Sequence, residues 1–227
     1  EVGGNGNVFG YDSSVSLDPA LSEDPSAGIC SNNVTIDIFG NAVIDADVRP
    51  GVNGIVDITG NAEVTGNTAA LPIELVYPSI PVPTGAIAWP YPTRMNSSTP
   101  VNVPPAVYTI SSSDFTMNAQ SSIVISGPTE IYINGDVTLN GQNFTNTTGD
   151  PHNLKIYVIG DHNVRINGGA DFYGLIYAPT STVDVLGNAD FYGAIISAEV
   201  DFNGTGTVYM DTSLMDNVIK GGVKLIR

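Results

Sequence analysis

The chain has 227 residues, with 7 Lys and Arg against 23 Asp and Glu, and a formal net charge of −16 at pH 7. A surface this acidic lacks the positive footprint that holds a phosphate backbone, which excludes nucleic acid as a partner. Low Lys content beside abundant Asn, Ser and Thr is typical of extracellular or cell-surface proteins, and without a long apolar run no membrane contact by this segment is expected.

The first 70 residues fall into two parts. Residues 1–33 are rich in Gly, Asn, Ser and Asp, and we predict that they form an N-terminal cap over an open end of the fold. Residues 34–70 alternate apolar and polar side chains and repeat the phrase Gly-Asn-Ala, at Gly40 and Gly60. Apolar residues two apart point into a core, and glycine supplies the left-handed backbone that turns a corner. We therefore predict that these residues form the first rungs of a repeat fold.

Residues 71–105 hold nine of the fifteen prolines of the chain. Proline lacks the N–H group that a β-ladder needs, so interior strands are not predicted here. The stretch is too apolar for a disordered linker, which favours an extended arm packed along the flank of the fold. Trp89 and Tyr91 are candidate partner-binding residues, as an aromatic platform for a glycan or a protein.

The clearest repeat of the chain lies near its C-terminus. Residues 163–178 return 19 positions later as 182–197, so that Gly168 corresponds to Gly187. A unit this short cannot bury its apolar face alone, whereas stacked copies share one continuous core. The period therefore predicts one repeat per coil of a β-solenoid.

We accordingly predict an all-β, single-domain parallel β-helix (β-solenoid) with a proline-rich extended arm and irregular terminal caps. The main rungs are expected over residues 106–211, followed by a C-terminal cap or tail over 212–227. Equivalent residues of successive coils lie in register, so Phe172 is expected to stack on Phe191 in the core.

Asp171 and Asp190 occupy the same position of the repeat, so adjacent coils should bring these two carboxylates close together. Such a pair can hold Ca²⁺, serve as an acidic pair in glycoside chemistry, or face water. No Lys or Arg lies close by in the repeat to abstract a proton, so we expect no catalytic residue and no enzyme activity. Calcium at Asp171 and Asp190 is the one metal or cofactor considered.

His152 and His162 lie next to Asp150 and Asp161. Histidines with neighbouring carboxylates can bind zinc, but a spacing of ten residues matches no known ligand template. We therefore expect them to be loop histidines.

Several phrases together carry a family resemblance. Phe9-Gly-Tyr-Asp-Ser-Ser, the Gly-Asn-Ala rungs, the proline-rich break and Phe172-Tyr-Gly-Leu-Ile-Tyr-Ala-Pro resemble the C-terminal β-solenoid domain of bacterial pilus-assembly-associated surface proteins. That resemblance implies a pilus-associated structural role with a pilin-like segment before the solenoid. Proteins of that family end in His-Tyr-Asp, where this chain has Val208-Tyr-Met-Asp, so any role of that histidine does not carry over. Ice-binding solenoids are similar in layout, but the threonines here are irregularly spaced.

Three classes of function remain open at this point. The first is an extracellular structural or adhesive protein whose partners are other copies of itself or other surface and pilus proteins. The second is a carbohydrate-active enzyme, and the third is an ice- or crystal-surface binder. For the first class, the alternating tail can add as a strand to a neighbouring edge, which makes Val223, Leu225 and Ile226 candidate partner-binding residues.

Overall fold

The computed structural model describes residues 1–111, 113–118, 120–140, 142 and 144–214. The protein is nearly all β, with 4% helix, and its parallel strands stack as a β-solenoid of about 9 turns. The fold class predicted from the repeats is therefore confirmed.

Most strands have two to five residues, whereas the two that contain the 19-residue repeat have 16 and 14. Two brief 3-10 helices interrupt the strands, at Pro19–Leu21 and Pro151–Asn153. The strands before the arm are β1 (Asn7–Tyr11), β2 (Gly28–Cys30), β3 (Thr35–Ile38), β4 (Val43–Asp45), β5 (Asp47–Arg49), β6 (Ile55–Ile58) and β7 (Glu63–Val64). Those after it are β8 (Ile87–Ala88), β9 (Arg94–Met95), β10 (Val101–Val103), β11 (Val107–Ile110), β12 (Phe115–Met117), β13 (Ile123–Ile125), β14 (Thr129–Ile133), β15 (Val137–Leu139), β16 (Phe144–Asn146), β17 (Leu154–Val158), β18 (Asn163–Ile166), β19 (Phe172–Gly187), β20 (Phe191–Gly204) and β21 (Thr207–Asp211).

The coils do not stack in chain order. Along the largest sheet the strands run β7-β4-β1-β21-β20-β19-β17-β14-β11-β8, so β1 lies between β4 and β21. Residues 1–33 were expected to cap an open end, but β1 instead lies inside the sheet. Its alternating apolar residues pair with strands on both sides, which removes an exposed edge at β21. The two ends of the stack are the foot, formed by β6 and β7 (residues 55–64), and the head, formed by β8 to β10 (residues 87–103).

An extended segment carries the chain from the foot back to the head. Beside the N-terminal coils, Asn32 and Leu75 exchange two hydrogen bonds of 2.7 Å. Farther along, the Tyr177 hydroxyl donates to the Pro78 carbonyl. The predicted arm along the flank is therefore present over residues 71–86. Residues 87–103, expected within the arm, form the head coil instead, because their prolines fall between strands of two or three residues.

Glycines stack at one corner of the solenoid. Gly40, Gly60 and Gly187 have φ of 82°, 75° and 99°, the left-handed region that the Gly-Asn-Ala phrases predicted. A Cβ on Gly60 would lie 2.8 Å from the Gly40 carbonyl oxygen, so adjacent coils approach too closely there for a side chain. The following asparagines form a ladder, in which the Asn61 amide donates to Asn41 over 3.0 Å.

The core consists of columns of equivalent residues. Phe172 and Phe191 are 1% and 2% exposed, and their rings stack with centroids 5.0 Å apart and an interplanar angle of 12°. The stacking predicted from the repeat is confirmed.

Candidate functional surfaces

Asp171 and Asp190 each accept a hydrogen bond from the backbone of the next coil. Asp171 Oδ1 accepts the Asp190 backbone N–H over 3.1 Å, and Asp190 Oδ1 accepts the Thr207 backbone N–H over 2.7 Å. Other coils use the same contact: Asp136 Oδ1 accepts the Asn163 N–H over 2.9 Å. The repeated aspartate therefore satisfies a backbone donor between adjacent coils, which is a structural use of the carboxylate.

Among the described residues, no three or more His, Cys, Asp or Glu side chains come together in a group that could hold a metal ion. Calcium binding at Asp171 and Asp190 stays a prediction.

Tyrosines on the outer side of the strands also form columns. The rings of Tyr173, Tyr192 and Tyr209 stack on one another with centroids 4.4 and 4.7 Å apart. A second pair, Tyr132 and Tyr157, stacks at 4.5 Å. Burial is the main cause that raises the pKa of each of these phenols. The tyrosines therefore contribute to stability in their neutral form.

We expect alkaline pH to unfold the solenoid, because tyrosines whose pKa is raised by burial must ionise there. Burial raises the pKa of Tyr77, on the arm, from 10.0 to about 12. A raised folded pKa means that the stabilisation is complete below about pH 10 and is lost as the pH rises through the folded value near 12. Tyrosinate absorbance and far-UV circular dichroism, followed together in a pH titration, should change in the same window. Ionisation of all 10 tyrosines near pH 10 with unchanged dichroism would contradict this expectation.

A polar cluster joins the two ends of the described chain. The Asp211 carboxylate is 1% exposed and accepts hydrogen bonds from the Ser13 and Ser213 hydroxyls, over 2.6 and 2.7 Å. It also accepts both backbone N–H groups of these serines, each over 3.1 Å. Beside them, His152 Nδ1 lies 3.0 Å from Asp150 Oδ1, and His152 Nε2 lies 3.4 Å from Ser213 Oγ.

Ser, His and Asp are the residue types of a nucleophilic triad, so the direction of the hydroxyl protons matters here. The contacts of Ser13 and Ser213 to Asp211 are shorter than their contacts of 3.3 and 3.4 Å to the imidazole of His152. The hydroxyls of Ser13 and Ser213 therefore donate to the Asp211 carboxylate. The cluster ties β1 to β21, and sequence reasoning missed it because Ser13 and Asp211 are 198 positions apart.

His162 has its own partners, so the structure assigns no shared site to the two histidines. Its Nε2 lies 3.0 Å from Asn134 Oδ1, and its Nδ1 lies 3.7 Å from Asp136 Oδ1.

At the head, Trp89 and Tyr91 pack against the core. The Trp89 ring makes edge contacts with Tyr91, Tyr108 and Phe115, with centroids 5.2, 5.4 and 5.7 Å apart. Both candidate partner-binding aromatics are half-buried and partly cover the last coil, and partner binding by them stays a prediction. The neighbouring Ile87 remains 51% exposed.

At the foot, the core has no such cover among the described residues. Ile58 pairs in register with Ile38 and occupies an equivalent inward position, yet Ile58 is 42% exposed whereas Ile38 is 0% exposed. Val56, Ala62 and Val64 pack on the same core and are only partly buried. Within the described ranges, β6 pairs only with β3 and β7 only with β4, so the foot presents an open sheet edge beside apolar side chains.

The remaining candidates, Val223, Leu225 and Ile226, lie outside the described residues. Among the described residues, none of the helices has the length and apolar composition of a membrane span.

Residues 107–217 match a domain of unknown function, DUF7305. The match begins at β11 and extends past β21, so it covers most of the coils that follow the arm. No curated protein and no solved structure matches the chain.

Proposed function

We propose that this protein is a non-catalytic structural or adhesive protein of the cell exterior that associates with other copies of itself through the open ends of its solenoid. The observation that carries the proposal is that no described residue covers the core at the foot. Ile58 stands at a core position and is 42% exposed. Open strand edges beside apolar side chains favour the addition of further strands.

The surface chemistry supports a structural role over the other two classes. The outward side chains described above are stacked tyrosines, asparagine ladders and aspartates that accept backbone N–H groups. An enzyme of solenoid fold would use a cleft with mixed acidic and basic groups, and an ice binder would use a flat array of threonines. The extracellular location and the association with pili rest on the acidic, lysine-poor composition and on the sequence resemblance.

Sedimentation velocity over a concentration series, at physiological ionic strength, tests the proposal. Wild type is expected to form species larger than a monomer as the concentration rises, and Ile58→Glu is expected to weaken this association, because a carboxylate at the open core cannot be buried without cost. Val15→Glu is the matched control, since Val15 is 71% exposed in the loop after β1, away from either end.

Deletion of residues 221–227 distinguishes association through the tail from association through the ends of the solenoid. Association that survives the deletion but not Ile58→Glu would place the contact at the foot, and the reverse result would place it on the tail. A wild type that stays monomeric at every concentration would overturn self-association.

A further inference from the structure

On one face of the solenoid, columns of paired residues run without a break from the head to the foot. The inward column contains, from head to foot, Met95, Met117, Leu139, Ile166, Val185, Phe202, Val2, Ile38 and Ile58. Val2 carries it across the junction of the two chain ends, because it bridges Phe202 and Ile38. The head strand β9 and the foot strand β6 are therefore the first and last rungs of one continuous face.

The outward-facing column beside it is basic toward the head and acidic toward the foot. From head to foot it contains Arg94, Thr116, Thr138, Arg165, Asp184, Asp201, Glu1, Asp37 and Asp57, and the N-terminal ammonium of Glu1 lies 3.3 Å from Asp201 Oδ1. Both arginines lie in the head half and all four aspartates lie toward the foot. The column ends in an exposed base at the head, Arg94, and an exposed acid at the foot, Asp57.

We propose that copies of this chain stack foot to head with a fixed register, in which Asp57 of one copy pairs with Arg94 of the next and Ile58 takes the column position beside Met95. This inference rests on the proposed function, because it specifies the contact by which the ends associate. Continuing the observed register by one rung beyond β6 places these residues opposite each other. The new rung repeats a spacing of about 4.8 Å between paired strands.

Charge selects this polarity over the alternatives. Two heads together would bring Arg94 against Arg94, and two feet together would bring Asp57 against Asp57. Like charges placed opposite each other on paired strands are destabilising, and opposite charges are favourable. A foot-to-head contact is heterologous, so it continues into a linear assembly instead of closing as a dimer.

The other main face cannot set the register. There the head strand β8 belongs to the column that runs through Tyr108, Ile131 and Ile156 to Ile176. The foot strand β7 belongs to a different column, which begins at Phe172. Phe172 and Ile176 are separated along β19, so head and foot strands of successive copies would be offset on that face. Of these two faces, only the β6 and β9 face brings both ends into line.

A charge exchange tests the contact. Arg94→Glu alone and Asp57→Arg alone should each raise the dissociation constant at least about tenfold, because each places like charges opposite each other. An equimolar mixture of the two variants should recover wild-type association, since every contact between unlike copies again pairs a base with an acid. Arg165→Glu is the control: it makes the same charge change in the middle of the column and should leave association unchanged.

The outcomes separate this inference from the proposed function. If wild type associates and both single variants associate equally well, or if the mixture fails to recover, the foot-to-head pairing is overturned while self-association stands. If wild type is monomeric throughout, both are overturned. Circular dichroism and melting temperature confirm that each variant is folded, which is expected because Arg94 and Asp57 are exposed.

Discussion

Replacing Phe191 with Ala is expected to lower the free energy of unfolding by about 3–5 kcal/mol. The Phe191 side chain is 2% exposed and stacks on Phe172 at 5.0 Å, so truncation removes buried apolar surface and leaves a cavity between two coils. Neighbouring coils cannot collapse into that cavity, because their spacing is set by the β-ladder on either side. Chemical denaturation monitored by circular dichroism measures the loss.

Val15→Ala provides the comparison, since this side chain is 71% exposed and its truncation should change stability by less than about 0.5 kcal/mol. A Phe191→Ala loss below about 1 kcal/mol would mean that the ring contributes little to the core, against the burial cost expected for an aromatic side chain.

Gly193→Ala is expected to be comparably damaging, at about 2–5 kcal/mol, from unfavourable backbone conformation and overpacking together. Gly193 has φ of 146°, and a Cβ there would lie 1.9 Å from the Gly174 carbonyl oxygen of the adjacent coil. A methyl group must therefore push two paired coils apart at the centre of the sheet. Thermal and denaturant unfolding of the purified variant measure the effect.

Gly169→Ala is the matched control within the same repeat. A Cβ on Gly169 would meet no atom within 4 Å, so the same substitution should be nearly neutral there. Equal stabilities of the two variants would show that the coils at Gly193 can separate without cost.

Several features of the fold could be predicted because they are local and repeated. The Gly-Asn-Ala phrases specify a corner that only a residue without a side chain can turn, and Gly60 lies at such a corner with φ of 75°. The 19-residue recurrence predicted that Phe172 and Phe191 share a column, because parallel coils in register place equivalent residues one above the other.

The order of the coils could not be predicted in this way. Every rung has a similar alternating pattern, so the pattern alone does not say which rung stacks on which. For β1, pairing with both β4 and β21 removes an open edge, and that advantage exists only once the other coils are in place. The Asp211 cluster with Ser13 follows from this pairing and has no sequence signal of its own.

The parallel β-solenoid, its glycine corners and the stacking of Phe172 on Phe191 follow from the sequence pattern, because short-range periodicity fixes which side chains point inward. That the N-terminal strands extend the C-terminal stack, and that the arm runs from the foot to the head, is visible only in the folded chain. That order left Ile58 at an open foot and Arg94 at the head. Parallel rungs are nearly interchangeable in sequence, so the sequence pattern does not select one stacking order. The order is selected by the arrangement that pairs the most strand edges and buries the most apolar side chains.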